Sequence, residues 1–152
     1  MEEKLRDPIW KPDEGPARFN PKSGATVVGA RFPLVAYNVN LKTQDLNIAK
    51  EIAKKVRFKD GGLPNVRAMG IDLKEKGMVQ VSMNLTNYRT TGIPKVFEFI
   101  REDAFKKGVE IGESEIVGLI PLGVFEGIAQ HYLKYPEFSM RQVIEQRILE
   151  FE

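Results

Sequence analysis

Two short segments of the sequence alternate uncharged polar residues with apolar ones. In FPLVAYNVNL two asparagines stand two positions apart, and in MVQVSMNL an amide, a hydroxyl and a second amide recur at the same spacing. Because side chains alternate between the two faces of a β-strand, each segment places its polar residues on one face. That polar set consists of Asn38, Asn40, Gln80, Ser82 and Asn84.

Amide and hydroxyl groups donate and accept hydrogen bonds, so this polar set suits a flat polar ligand or another subunit. The alternative is an ordinary solvated sheet face, on which Lys, Glu, Arg and Thr would be expected. Asparagine is depleted in strands, so its repeated use costs β-propensity that nothing local restores. We therefore favour a binding face over a solvated one.

Other side chains offer little chemistry. The sequence has one histidine and no cysteine, so it predicts no thiolate chemistry and no metal site. His131 falls in an apolar helical segment, where we expect a surface role. Five carboxylates, none placed by spacing for general acid and base work, are interpreted as surface or capping charges: Asp13, Glu14, Asp72, Glu113 and Glu115. No catalytic residue is predicted.

The size and charge of the chain set further limits. Its 152 residues form one domain or a large piece of a larger unit. The net charge is +2 with the signs interspersed, so we predict neither a nucleic-acid partner nor a membrane partner. No apolar run reaches the roughly 18 residues of a membrane span, and the first segment is acidic, unlike a signal peptide. The expected location is the cytoplasm.

Residues 1–31 are predicted to be irregular. Four prolines and three glycines are spaced through this segment so that they interrupt any helix or central strand. A binding loop, a linker and a disordered tail all fit such a composition. Trp10 and Phe19 favour packing of parts of it, because pure linkers are poor in aromatic residues.

From residue 32 the pattern becomes regular. It predicts strands at 33–41, 66–73, 78–85 and 109–120, and helices at 44–57 (capped by Thr43), 93–107, 121–132 and from 139. The order β-α-β-β-α-β is the ferredoxin-like arrangement. The predicted fold class is therefore α+β, with an antiparallel sheet, helices on one face of it and two further C-terminal helices.

In a ferredoxin-like sheet the first and third strands are central neighbours, so the five polar side chains converge on the face without helices. We assign Val66, Ala68 and Gly70 of the second strand to the same face. We likewise assign Ser114 and Gly118 of the fourth strand to this face. Small residues at these positions would leave room for a ligand above the sheet.

Longer stretches of the sequence resemble a known family. They are WKPDEGPARFNPKSGATVVGAR, LVAYNVNL, VRAMGIDLKEKGMVQVSMNL and GESEIVGLIPL, which together span about 10–123. In that order they are similar to the C-terminal subdomain of the formiminotransferase domain, found in glutamate formiminotransferase and in formiminotransferase-cyclodeaminase. Matched stretches of this length are far more specific than a single short motif.

The resemblance implies a function. Members of this family transfer a formimino group between N-formimino-L-glutamate and tetrahydrofolate in histidine degradation, with two α/β subdomains enclosing a folate-binding cleft. Residues 1–31 would be a folate-binding loop segment and residues 32–152 the C-terminal subdomain, with tetrahydrofolate as substrate and carrier. The family's folate-binding segment matches Gly15, Pro16, Ala17, Arg18, Phe19, Asn20, Pro21, Lys22, Ser23 and Gly24.

The resemblance also implies a partner. The family's proton-transferring histidine belongs to an N-terminal subdomain that has no counterpart in this sequence, so we expect no catalysis by this chain alone. The expected partner is that subdomain, and a homodimer stays open. Two alternatives also stay open: a non-catalytic ferredoxin-like binding or assembly module, and half of a related enzyme that converts 5-formyltetrahydrofolate.

Overall fold

A computed structural model describes residues 3–26 and 28–150 of the chain. The chain divides into two compact units, Met1–Ala30 and Arg31–Glu152, and each is described by itself. In the described part of the first unit the regular structure consists of two single-turn 3-10 helices, Lys4–Arg6 and Pro8–Trp10. Asp7 caps the second of these, its Oδ1 accepting a hydrogen bond from the backbone N–H of Ile9 at 3.0 Å.

The second unit is built on a four-stranded antiparallel sheet. Its strands are β1 (Val35–Leu41), β2 (Val66–Leu73), β3 (Met78–Leu85) and β4 (Ile111–Val117), in the order β2-β3-β1-β4. Helix α1 (Leu46–Val56) connects β1 to β2, and helix α2 (Ile93–Lys106) connects β3 to β4. Helices α3 (Gly123–Tyr132) and α4 (Ile144–Leu149) follow. The α+β, ferredoxin-like prediction is confirmed.

Most elements differ from the predicted ones by a residue or more at one end or both, and three of the differences have a clear structural basis. The cap of α1 is Asp45, whose Oδ1 accepts from the backbone N–H of Asn47 at 2.9 Å, so the prediction of Thr43 as the cap is wrong. Strand β4 ends at Val117 because Gly118 adopts a left-handed conformation with φ of +77°. The helix predicted from 139 divides into a 3-10 turn, Met140–Gln142, and α4.

The apolar core lies between one face of the sheet and helices α1 and α2. Fully buried members include Val39 and Leu41 of β1, Val81 of β3, Ile52 of α1 and Ile100 of α2. Burying each such side chain contributes about 1.5–3 kcal/mol of transfer free energy. The apolar residues of β1 and β3 face this core. The polar residues that alternate with them therefore lie on the opposite face of the sheet.

Helix α1 lies very close to β2. A Cβ atom added to Gly70 would stand 2.6 Å from the backbone nitrogen of Lys50, so this position requires glycine.

Among the described residues no helix is both long and apolar enough to cross a membrane.

Candidate functional site

The strand register brings the predicted polar residues of the second unit together. Asn38 of β1 lies opposite Ser82 of β3, and Asn40 lies opposite Gln80. Asn84 extends the row one step further along β3. Directly opposite residues of an antiparallel pair share a face, so all five side chains lie on the face turned away from the core. We call this surface the polar face.

Three of these five side chains are buried, and the strands that carry them, β1 and β3, contain no charged residue. The exposed fractions of Asn40, Gln80 and Asn38 are 2%, 4% and 7%, whereas Ser82 is half-buried and Asn84 is exposed. Buried amides are costly unless they are hydrogen-bonded. The centre of the polar face is therefore not an ordinary solvated sheet surface.

A network across three strands gives each of the three buried amides at least one hydrogen bond. Asn38 Nδ2 donates to Glu115 Oε1 at 2.8 Å. Gln80 Nε2 donates both to Glu115 Oε1 at 3.0 Å and to Asn40 Oδ1 at 2.8 Å. The backbone N–H of Met83 donates to Asn38 Oδ1 at 3.3 Å. The network fixes the side-chain orientations before any ligand arrives.

Glu115 is the anionic centre of this network. Hydrogen bonds from Asn38 and Gln80 lower the pKa of the Glu115 carboxyl below its usual value, because they stabilise its charged form. The sequence analysis interpreted Glu115 as a surface or capping charge. The side chain is exposed, but it is also the acceptor that joins β1 and β3 to the edge strand β4.

The phase predicted for β4 is wrong. Glu115 lies opposite Asn38 on the polar face, whereas Ser114 lies opposite Val39 on the core face. There the hydroxyl of Tyr37 donates to Ser114 Oγ at 3.0 Å. Gly118 lies beyond the end of the strand. An irregularity in the register between Val39 and Leu41 separates the two ends of β4, so alternation alone could not locate Glu115.

The phase predicted for β2 is also wrong. Gly70 lies against α1, and Val66 and Ala68 share its face. The polar face instead receives Arg67, opposite Asn84, and the 60% exposed side chain of Met69, opposite Ser82. The polar face therefore has a cation and an apolar flank on the β2 side, and not the open space predicted from small residues.

The other predicted site residues, 15–24, lie in the first unit. Asn20 organises a turn there, its Oδ1 accepting from the backbone N–H groups of Lys22 and Ser23 at 2.9 and 3.2 Å. Gly15 and Gly24 adopt positive φ angles of +88° and +66°. A concavity of about 520 Å³ is lined by Pro16, Arg18, Phe19, Asn20, Pro21 and Lys22. The folate-binding assignment of this segment stays a prediction.

His131 lies outside both groups. It is an exposed residue of α3, stacked edge-on against Tyr132 at 4.8 Å between ring centroids. It borders a concavity of about 580 Å³ between α2 and α3, on the helical side of the sheet. Among residues 3–26 and 28–150, no group of three His, Cys, Asp or Glu side chains is placed to hold a metal ion.

Comparison with known proteins decides the family. The family model described as "Formiminotransferase domain" matches residues 36–150, which include the whole polar face. The chain belongs to this formiminotransferase family. The resemblance seen in the sequence is thus confirmed at the level of the family.

Individual relatives agree with that assignment. Over 97% of its length, the chain is 45% identical to a glutamate formimidoyltransferase of Thermoplasma acidophilum. The matched region covers 48% of that protein. The chain is 39% identical over 98% of its length to the Streptococcus pyogenes protein of the same name, covering 50%. It is also 44% identical over 88% to a formimidoyltransferase-cyclodeaminase of Dictyostelium discoideum, covering 26%. The chain spans about half the length of the two glutamate formimidoyltransferases.

Proposed function

We propose that this chain is the C-terminal, folate-binding half of a glutamate formiminotransferase. Together with an N-terminal subdomain it would transfer the formimino group between N-formimino-L-glutamate and tetrahydrofolate. The observation that carries the proposal is the pre-oriented polar network on a sheet face that α1 and α2 leave uncovered, in a chain of the formiminotransferase family.

The polar face suits the pterin ring of tetrahydrofolate. A flat heterocycle with polar edges needs hydrogen-bonding groups at fixed positions, together with apolar surface against which it can pack. Asn38, Asn40 and Gln80 supply fixed amides, and the exposed Met69 supplies apolar surface beside them. Because the amides are already ordered, a ligand would not have to offset the entropy of ordering them.

The loop segment of the first unit carries exposed cations. Arg18 and Lys22 are exposed and line the concavity formed around Pro16 and Asn20. The glutamate tail of a folate carries carboxylates, which such cations would attract. We propose, for the first unit by itself, that residues 15–24 bind folate carboxylates, in keeping with the resemblance of the segment to the family's folate-binding segment.

The polar face offers no proton donor for the transfer itself. Amide side chains do not titrate, and Glu115 has a lowered pKa and stays ionised at neutral pH. Glu115 is therefore not a general acid. We propose that proton transfer belongs to the N-terminal subdomain, which would be the chain's required partner.

Reconstitution tests this function. The chain is mixed with a cognate N-terminal subdomain, and formimino transfer from N-formimino-L-glutamate to tetrahydrofolate is followed by mass spectrometry of the folate product. We expect activity in the mixture and none in either half alone. Folate binding without transfer would contradict the enzymatic proposal and indicate a non-catalytic module. Conversion of 5-formyltetrahydrofolate in place of formimino transfer would indicate the related enzyme.

A further inference from the structure

The exposed apolar side chains of the second unit are concentrated after the middle of β4. Most of its large apolar side chains that reach solvent belong to residues 116–149. Of the two helices that the structure describes there, α3 buries only Val124 and α4 buries no residue. The other apolar residues of the unit pack mainly between the sheet and helices α1 and α2. The C-terminal part of the unit therefore carries apolar surface that its own core does not use.

One uncharged run carries much of this surface. Residues 117–125 contain no charged side chain. Ile120 and Val124 of this run pack against the core, which holds the run in place. We call its four exposed apolar side chains the exit patch: Val117 (55% exposed), Leu119 (99%), Leu122 (43%) and Phe125 (46%). Exposed apolar surface that is grouped in this way is typical of an interaction site.

The exit patch begins where the polar face ends. Val117 stands two residues beyond Glu115 in β4 and lies opposite Ala36 of β1, so its side chain continues the polar face. Gly118, with φ of +77°, then turns the chain out of the strand, and Leu119 follows this turn into solvent. A partner that covers the polar face from this end would therefore also contact the exit patch.

The size of the exit patch argues against a second copy of the chain as its occupant. Four partly exposed side chains supply at most about a few hundred Å², whereas a stable dimer buries roughly 800 Å² on each partner. A partner that covers the neighbouring polar face as well would bury a larger area. The chain spans 48% and 50% of two glutamate formimidoyltransferases, so the length that it lacks relative to them is enough for such a partner.

We infer that the exit patch is a docking surface for the N-terminal subdomain. The surface that meets it on that subdomain would be apolar, because residues 117–125 offer no charge for an ion pair. Leu119 is the central anchor, since it is almost fully exposed in the chain alone and gains the most from burial. This inference rests on the proposed function, and it locates the contact with the partner that this function requires.

Association of the two halves tests the inference without folate. The affinity of the chain for the cognate N-terminal subdomain is measured by sedimentation velocity. Leu119→Ser should weaken it about tenfold or more, as the loss of one buried leucine at an interface implies. Leu119→Met keeps an apolar side chain of similar size and should bind within about threefold of the parent. Urea midpoints of the chain alone should be unchanged in both variants, because Leu119 is 99% exposed.

Phe105→Ser is the matched control. Phe105 is 82% exposed on α2, outside the exit patch, so its loss should leave the affinity unchanged. Parent-like binding by Leu119→Ser, or equal weakening by Phe105→Ser, would overturn the inference. So would the absence of a complex, or self-association of the parent chain that Leu119→Ser abolishes, which would indicate a second copy as the occupant.

Formimino transfer by the mixed halves is read separately. A complex that depends on Leu119 but transfers no formimino group would keep the docking surface and contradict the proposed function. Transfer that Leu119→Ser leaves at the parent rate, with the N-terminal subdomain limiting, would keep the function and overturn the docking surface.

Discussion

Gln80 and Glu115 are hydrogen-bonded although their strands are not neighbours. Gln80 lies on β3 and Glu115 on β4, with β1 between them, and Gln80 Nε2 reaches across to Glu115 Oε1 at 3.0 Å. The amide spans β1, the strand in which Asn40 lies opposite Gln80 and Asn38 lies opposite Glu115. This relationship joins polar residues of three strands into one surface.

Acidification should weaken the fold through Glu115. Its folded-state pKa lies below the ordinary value of 4.5, so the unfolded state binds the proton more readily. The resulting stabilisation is fully present above pH 4.5 and is lost as the pH falls through the folded-state pKa. Urea midpoints measured between neutral and acidic pH should fall less steeply for Glu115→Gln than for the parent. Equal slopes for Glu115→Gln and the parent would show that the network does not hold the carboxylate.

Leucine at Asn40 and at Asn84 should affect stability differently. Asn40 is buried and accepts from Gln80, so Asn40→Leu removes one hydrogen bond and should cost about 0.5–1.5 kcal/mol of unfolding free energy. Asn84 is exposed, so Asn84→Leu should change stability by less than about 0.5 kcal/mol. Urea denaturation measures both. A more stable Asn40→Leu protein would mean that this amide makes no net stabilising contact.

Alanine at Gly70 should be strongly destabilising. Its Cβ would meet backbone atoms of α1 at 2.6 and 2.8 Å, so α1 would have to move away from β2. Overpacking of this kind costs about 1–3 kcal/mol. Gly127→Ala in α3 is the control, because beyond the neighbouring residues and backbone of its own helix no atom lies within 4 Å of the added methyl group. It should be neutral or stabilising by about 0.5–1 kcal/mol, as expected for alanine in a helix. Comparable thermal midpoints for the two variants would contradict the close packing of α1 on β2.

The phase of β4 can be tested through Tyr37 and Ser114. Burial raises the pKa of the Tyr37 phenol, and its hydroxyl donates to Ser114 Oγ on the core face. A double-mutant cycle of Tyr37→Phe and Ser114→Ala should give a coupling free energy of about 0.5–1.5 kcal/mol. Strictly additive effects would place Ser114 away from Tyr37.

The sequence predicts the centre of this sheet better than its edges. Over most of β1 and β3 apolar residues alternate with polar ones because one face packs on two helices, so Asn38 and Gln80 could be assigned to the other face directly. In β2 both faces carry apolar residues, such as Val66 and Met69, and periodicity could not choose between them. The need for glycine at position 70 comes from the approach of α1, which the spacing of residues along the chain does not reveal.

Glu115 shows the same limit for the site. A glutamate on an edge strand is usually exposed to solvent, and Glu115 is exposed. Its role comes from the register that sets it opposite Asn38 and within reach of Gln80. Such a register across a strand irregularity is a tertiary property. The polar set could therefore be predicted from the sequence, but the carboxylate that orders it could not.

The affinity of the reconstituted pair for tetrahydrofolate tests the central claim most directly. Isothermal titration should show that Asn40→Leu and Asn84→Leu each bind tetrahydrofolate roughly two- to tenfold more weakly than the parent, as one lost hydrogen bond implies. Urea denaturation of the same preparations confirms that the variants are folded. Parent-like affinity in both folded variants would contradict the claim that the polar face is the folate site.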